Sequence, residues 1–207
     1  MISRGFVLEQ VERVSTLVIP TEVRERTNWL NVVGGLREDA HAQADGYRLV
    51  TWEGPTPEEL REPYAQLKRR MSVDIPHAGL SNGEAEMTSE RIAYNDERAK
   101  AKGAHWIVVA VERESDGMLV AYTELEWPRA DSPGVWQMDT FVHGEHRGHR
   151  IGMWIKTEML FRLLAANPAA ERIHTWNADE NQYMLSINEV LGFEPVAYES
   201  AWELRGL

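Results

Sequence analysis

Residues whose side chains could bind a ligand or take part in catalysis are concentrated in one stretch, 137–156, which reads QMDTFVHGEHRGHRIGMWIK. It begins as a strand that carries Asp139, and at Ile151 the apolar spacing becomes that of a helix. Between them lies a loop with two arginines and three of the seven histidines: His143, His146, Arg147, His149 and Arg150. The first N–H groups of a helix have no internal partner and carry partial positive charge. A glycine-bearing basic loop at a helix start therefore predicts an anion site.

Two other interpretations of this loop exist. A solvated loop that only caps the helix is the simplest, since short glycine patterns are common. A metal site is the second, because His143, His146 and His149 recur at every third residue. Arg147 and Arg150 stand between these histidines and would repel a cation. The sequence therefore predicts no metal and favours an anion.

Composition narrows the class of protein. The 207 residues are 43% hydrophobic and contain no cysteine, which excludes disulfides and thiolate chemistry. No apolar run approaches the ~18 residues of a membrane span, and the first residues lack the apolar core of a signal peptide. A formal net charge of -11 argues against nucleic-acid binding and favours a cationic or neutral substrate. We expect a cytoplasmic protein with no membrane or nucleic-acid partner.

Periodicity and turn signals predict an α/β (α+β) fold. Strands are expected at 5–19, 46–53, 105–114, 118–127, 135–143, 172–177 and 193–204, and helices at 22–42, 57–71, 89–102, 151–166 and 180–191. An antiparallel meander followed by a strand–helix–strand crossover gives a mixed, mostly antiparallel sheet of six to seven strands with helices on both faces. If the strand before the basic loop parts from the strand after the helix, a ligand slot opens between them.

From 46 to 207, and most strongly over 137–193, the sequence resembles the GNAT superfamily of acyl-CoA-dependent N-acyltransferases. The loop signature of that family is Arg or Gln, two residues, Gly, one residue, then Gly or Ala. Arg147, Arg150 and Gly152 stand at these positions, so Arg150 replaces the usual middle glycine. The second signature is the tail 177–193, in which Asn181 stands where the family contacts pantetheine.

The resemblance implies the GNAT fold, with acetyl-CoA as the acyl donor and no metal. It implies an N-acetyltransferase that moves the acetyl group to a primary amine of a small molecule by direct attack. The positions expected to hold coenzyme A are Thr140, Phe141, Val142, Arg147, Gly148, His149, Arg150, Ile151, Gly152, Met153, Asn177, Asn181 and Asn188.

The catalytic pattern departs from the family. Asn188 stands where many members have a tyrosine that protonates the departing thiolate, and an amide cannot act as an acid. Trp136 and Trp176 stand where a glutamate base is common. Asp139 and Glu124 are therefore the candidate bases, by proximity alone, and Tyr122, Glu126 and Tyr183 are further substitutes. The alternative is a catalytically weak or inactive module that binds coenzyme A or regulates.

Residues 1–44 are predicted to form a strand and a linker helix, and residues 45–207 are predicted to form an acyltransferase domain. The Gly5-Phe6 pair and the alternating strand after it resemble the closing strand of the same family, so this segment resembles the tail of a preceding acyltransferase repeat. A chance Gly-Phe pair is the other interpretation. The strand needs a sheet edge, and 193–204 is its expected neighbour, in the same chain or in a homodimer. The other expectation is that the segment belongs to a tandem protein, as the remainder of an N-terminal acyltransferase domain that is missing from this sequence.

Overall fold

The computed structural model describes residues 6–74 and 87–204, so residue 5 of the predicted first strand and residues 75–86 lie outside the described part. The described chain forms one seven-stranded sheet with the strand order β2-β3-β4-β5-β6-β1-β7. Its elements are β1 (Phe6–Val18), α1 (Val23–His41), β2 (Tyr47–Glu53), α2 (Glu58–Asp74), α3 (Ser89–Ala101), β3 (His105–Arg113), β4 (Leu119–Trp127), β5 (Gly134–Val142), α4 (Ile151–Ala166), β6 (Arg172–Ala178), α5 (Gln182–Leu191) and β7 (Glu194–Leu204). The predicted α/β class and the mixed, mostly antiparallel sheet are confirmed.

Two hydrophobic cores sandwich the sheet. Alternation along β3 sends Ile107, Val109 and Val111 into the core under α1 and α4, and Val108 and Ala110 into the core under α2 and α3. The predicted placement of helices on both faces is therefore confirmed. Among the described residues, no helix is long and apolar enough to cross a membrane.

The sheet opens between β5 and β6, its one parallel pair in the described chain. The two strands pair only from Gly134 opposite Arg172 to Trp136 opposite His174, and beyond this point they part. On the other side of β5 the register with β4 shifts, so that Met138 and Asp139 together oppose Glu124 alone. Such a bulge bends a strand and increases its twist. We infer that the bulge turns β5 away from β6 and opens the slot that the sequence predicted.

The N-terminal strand β1 lies inside the sheet. It pairs antiparallel with β6 from Glu12 to Val18 and antiparallel with β7 over most of its length. The predicted pairing with the last strand is confirmed, and it occurs within one chain. Leu17 and Ile19 enter the core, and α1 packs against α4, where the His41 ring stacks on Trp154 at 4.7 Å between centroids. The origin of this segment as a repeat tail stays a prediction.

Candidate active site

A groove with three adjoining cavities follows the opening between β5 and β6. The inner cavity, about 200 Å³, lies between Gln137–Thr140 of β5 and Thr175–Ala178 of β6. Lys156 of α4, Met184 of α5 and Glu12 of β1 also line it. Carboxylates, amides and hydroxyls dominate this lining, so the inner cavity suits a polar ligand.

The middle cavity, about 410 Å³, shares Thr140, Asn181 and Met184 with the inner one. It extends along Phe141 and Val142 to Arg147, and Tyr183 closes its outer side. The loop cavity, about 310 Å³, begins at Tyr183 and continues to Gly148, Arg150 and Met153 at the start of α4. Shared lining residues thus connect the basic loop to the polar inner cavity.

Backbone geometry explains the departure at Arg150. This residue is the N-cap of α4 and has a φ of 53°, in the left-handed region that glycine adopts without strain. The glycine that the family usually has here would adopt this turn without strain, whereas the left-handed conformation costs Arg150 about 1 kcal/mol. The first helical hydrogen bond runs from the Trp154 N–H to the Arg150 carbonyl at 3.0 Å, which leaves the preceding N–H groups available to an anion. Arg147 Nε donates to the Val142 carbonyl at 3.2 Å and holds the loop against the end of β5.

Gly152 has a packing role beside the loop. A Cβ atom at this position would lie 3.0 Å from Cδ1 of Ile187 and 3.6 Å from the hydroxyl of Tyr183. The missing side chain therefore lets α5 approach the first turn of α4. This contact keeps Tyr183 at the junction of the middle and loop cavities.

Three asparagines fix the α5 side of the groove. The Asn181 side-chain oxygen accepts from the Met184 N–H at 3.2 Å and caps α5, while Asn181 lines both the inner and the middle cavity. The Asn188 amide is buried behind the groove and donates to the Asn177 side-chain oxygen at 2.8 Å. Asn188 therefore acts on the cavity wall through Asn177.

The two candidate bases converge on a lysine of α2. Lys68 Nζ lies 2.9 Å from a carboxylate oxygen of Glu124 and 2.9 Å from one of Asp139. Tyr64 donates to Glu124 at 3.0 Å, and Tyr122 donates to Asp139 at 3.2 Å. The bulge in β5 brings the two acids to one side of the sheet, where this lysine holds them as a pair.

The electrostatics of this cluster fix the protonation states of its lysine and its two tyrosines. Burial is the largest single effect on Lys68 and would lower its pKa, but the acidic groups around it, Glu124 first among them, together outweigh burial and hold the pKa well above its usual range. Burial raises the pKa of Tyr64 and that of Tyr122 well above their usual range. The lysine therefore stays charged at neutral pH and both hydroxyls stay protonated as donors.

Lys156 of α4 is a second lysine at the groove, and unlike Lys68 it is buried. Its side chain is 3% exposed, and its Nζ makes no hydrogen bond within the described part of the chain. The Phe193 ring lies beside this amine, with 5.2 Å between Nζ and the ring centroid. Burial lowers the pKa of Lys156 to about 7. A group that is half protonated near neutral pH thus lines the inner cavity.

The histidines of the loop form one further cluster. Ligand atoms of His143, Glu145 and His146 lie within 4.8 Å of one another. This group includes Glu145 in place of His149, so it differs from the three-histidine metal site that the sequence spacing suggested. His146 Nδ1 pairs with the Tyr47 hydroxyl at 2.8 Å. Burial lowers the pKa of His146, and the positive charge of Arg113 lowers it further. The same positive charge disfavours a cation beside this ring.

The structure brings most of the sequence-predicted site residues to the groove. Those that line one of its cavities are Asp139, Thr140, Phe141, Val142, Arg147, Gly148, Arg150, Met153, Asn177 and Asn181. Five predicted residues lie outside the lining: Glu124, Gly152 and Asn188 stand behind it, Ile151 is in the core, and the His149 ring packs against Tyr47. Sequence reasoning missed Tyr64, Lys68 and Lys156. The one available signal was a lone lysine inside the apolar run IGMWIKTEML at 151–160.

Comparison with known proteins places the fold. No protein-family model matches the chain, and none of the curated proteins matches it in sequence. Among solved structures, a tandem GNAT protein from the clavulanic acid biosynthesis pathway, solved without acetyl-CoA, is 24% identical with a TM-score of 0.66. The match covers 97% of this chain and 56% of that one, so the chain spans about half the length of the tandem protein.

Two further solved structures share the fold at lower identity. A GCN5-related N-acetyltransferase-like protein from Streptococcus suis is 13% identical with a TM-score of 0.53, over 98% of this chain and 64% of that one. An acetyltransferase of the GNAT family from Streptococcus pneumoniae is 13% identical with a TM-score of 0.54, over 71% of this chain and 84% of that one. The chain therefore has the GNAT fold, as the sequence predicted.

Proposed function

We propose that this GNAT-fold chain is an N-acetyltransferase that moves the acetyl group of acetyl-CoA to a primary amine of a small molecule. The observation that carries the proposal is the continuity of the groove from the start of α4 to the polar inner cavity. One end offers helix N–H groups and arginines to phosphates, and the other offers carboxylates to an amine.

Residues of the groove fit an acyl-CoA donor along its length. Gly148 and Arg150 of the loop cavity suit the pyrophosphate, and Phe141, Asn181 and Tyr183 of the middle cavity suit the amphipathic pantetheine arm. The donor supplies an activated acyl carbonyl when it is bound. The chain itself supplies position, which contributes several kcal/mol to such reactions. Where β5 and β6 part, beyond Trp136, backbone N–H groups of β5 no longer pair with β6 and would be available as donors to the carbonyl oxygen.

The reaction needs an amine without its proton. The neutral amine nitrogen attacks the acyl carbonyl carbon and forms the C–N bond, the C–S bond breaks, and coenzyme A leaves as the thiol. The nitrogen loses its proton through water to Asp139, whose side chain is 40% exposed at the cavity wall, or to Glu124 beside it. Glu12 also faces the inner cavity, so a cationic amine is the acceptor class that the charges favour.

One observation favours a second function, a coenzyme A-binding module without turnover. Both candidate bases share Lys68 as an ion-pair partner, so each already has a carboxylate oxygen engaged by a cation. Asn188 also stands at the position of the usual acid. Under this alternative the groove still binds coenzyme A, but no amine is acetylated.

A turnover screen separates the two functions. The wild-type protein is incubated with acetyl-CoA and a panel of primary amines that includes polyamines, amino sugars and amino acids. Free thiol and acetylated product are both measured, because thiol release alone also reports hydrolysis. Amine-dependent release with an acetylated product supports the transferase. Binding of coenzyme A with no product from any amine supports the module.

A further inference from the structure

The unexplained group in the groove is the amine of Lys156. It is buried to 3% exposure on α4, and its Nζ has no hydrogen-bond partner within the described part of the chain. A buried amine without an acceptor costs free energy. The residue lines the inner cavity, so a ligand in that cavity is the partner that would satisfy it.

The charges around Lys156 come from the other walls of the cavity. Glu12 of β1 and Asp139 of β5 are the titratable residues that line the cavity with it, and α5 contributes the uncharged Asn181 and Met184. Asp139 is already paired with Lys68. Phe193 is the aromatic neighbour of Nζ. The amine therefore has an aromatic ring as its neighbour, and the two acids that line the cavity with it lie on β1 and β5.

We propose that Lys156 is the general acid of the acyl transfer proposed above, and that its Nζ gives a proton to the sulfur of the departing coenzyme A. This inference rests on the proposed function and assigns the role that Asn188 cannot fill. The bond that breaks is the C–S bond, whose electron pair goes to sulfur, and one Nζ–H proton follows it. The proton that the amine nitrogen loses goes to Asp139 through water, and solvent returns a proton to Lys156.

The environment of Lys156 suits this role better than that of a base. Asp139 is partly exposed and can exchange a proton with solvent and with an entering amine, whereas Lys156 is buried. Burial disfavours the charged ammonium and makes it ready to release a proton. Developing negative charge on sulfur in this dry site is stabilised by the same ammonium.

Lys156→Met tests the role without a cavity or an unpaired group, and Lys100→Met, an exposed lysine of α3, is the matched control. The readout is the ratio of wild-type to variant kcat/KM, measured as pH is varied. Ionisation of the acceptor amine changes both values equally and therefore cancels in the ratio. We expect a ratio of about 100 or more below pH about 7 that falls toward one at higher pH, because the neutral lysine cannot act as the acid. The control ratio stays at one throughout.

A spectroscopic readout is independent of turnover. The chain has only four lysines (Lys68, Lys100, Lys102 and Lys156), so selective carbon-13 labelling gives four side-chain signals. The signal lost in Lys156→Met should titrate near pH 7 and shift when coenzyme A is added, while the signals of Lys100 and Lys102 do not shift. Titration of the Lys156 signal near its ordinary value overturns the proposal.

Each kinetic outcome has a distinct meaning. If the ratio of wild-type to variant kcat/KM rises with pH, Lys156 acts as a base, which overturns its assignment as the general acid. If the ratio stays at one at every pH, Lys156 has no role in proton transfer. Lost coenzyme A affinity in calorimetry of the folded variant makes it a binding residue and also overturns the proposal. In each of these cases wild-type transfer stands. A wild-type protein that binds coenzyme A but acetylates no amine overturns the transferase and this inference together.

Discussion

Lys68 Nζ lies 2.9 Å from Oδ2 of Asp139, and it makes the same contact with Glu124. One cation of α2 thus ties together two acids of neighbouring strands that face one side of the sheet. Removal of the cation leaves two carboxylates close together with only tyrosine donors. The pairing therefore holds α2 against the bulge of β5 as well as setting the charge of the site.

We expect Lys68→Met to lower the free energy of unfolding by about 2 kcal/mol. Breaking a fully buried pair costs ~3–5 kcal/mol, and partial exposure of Asp139 reduces this. Chemical denaturation at neutral pH measures the change, with Lys100→Met as the control. Equal stability of the two variants would show that the pairing contributes nothing.

The identity of the base is tested by amide substitutions. Asp139→Asn or Glu124→Gln should lower kcat/KM by about 100-fold or more for the residue that accepts the proton. Glu126→Gln is the matched control, since Glu126 lies two residues from Glu124 on β4 and outside the groove lining. If both variants retain wild-type kcat/KM, solvent takes the proton and neither acid is the base.

A double-mutant cycle tests the contact between α4 and α5. Gly152→Ala places a Cβ atom 3.0 Å from Cδ1 of Ile187, so we expect a loss of about 1 kcal/mol in unfolding free energy. Ile187→Val removes that methyl group, and in its background Gly152→Ala should be neutral or stabilising, because alanine favours a helix over glycine. Additive effects in the cycle would mean that the two positions do not touch.

Stability should depend on pH through Lys156. Its folded-state pKa is about 7 against an ordinary 10.5, so the unfolded chain binds more protons between these values. The wild-type protein is therefore destabilised at and below pH 7, and this cost disappears as pH rises toward 10.5. Lys156→Met should be more stable than wild type by several kcal/mol near neutral pH, because a tenfold change in proton affinity corresponds to about 1.4 kcal/mol. Denaturation curves should converge at high pH, and a constant difference between the two proteins would contradict the buried amine.

The order of strands and helices was predictable because turn residues and periodicity act locally. Asp116 and Gly117 mark the β3–β4 hairpin, and Gly192 ends α5 in the left-handed conformation that glycine favours. The basic loop was predictable for the same reason. The pairing of β1 with β7 was predicted from the need of an alternating strand for a sheet edge, but its second pairing, with β6, was not, because it depends on contacts more than 150 residues apart in the chain.

In the groove, too, side-chain contacts between residues distant in the chain could not be predicted from the sequence. Asp139 and Glu124 were found from their nearness to the loop, but Lys68 joins them from 71 and 56 positions away, and no local pattern links them. Lys156 has an ordinary helical setting in the sequence, and only the fold shows that its amine has no hydrogen-bond partner among the described residues. The position of Arg150 was visible in the sequence, but its left-handed backbone was not.

Calorimetric titration of coenzyme A into wild type, Tyr183→Glu and Tyr198→Glu tests the central claim most directly. Both tyrosines are exposed, at 49% and 62%, but Tyr183 joins the middle and loop cavities whereas Tyr198 lies on the edge strand β7. We expect one-to-one binding to wild type and to Tyr198→Glu, and at least tenfold weaker binding to Tyr183→Glu, whose new negative charge would line the loop cavity with Gly148 and Arg150. No binding to the folded wild type, or equal affinity for all three proteins, would contradict it.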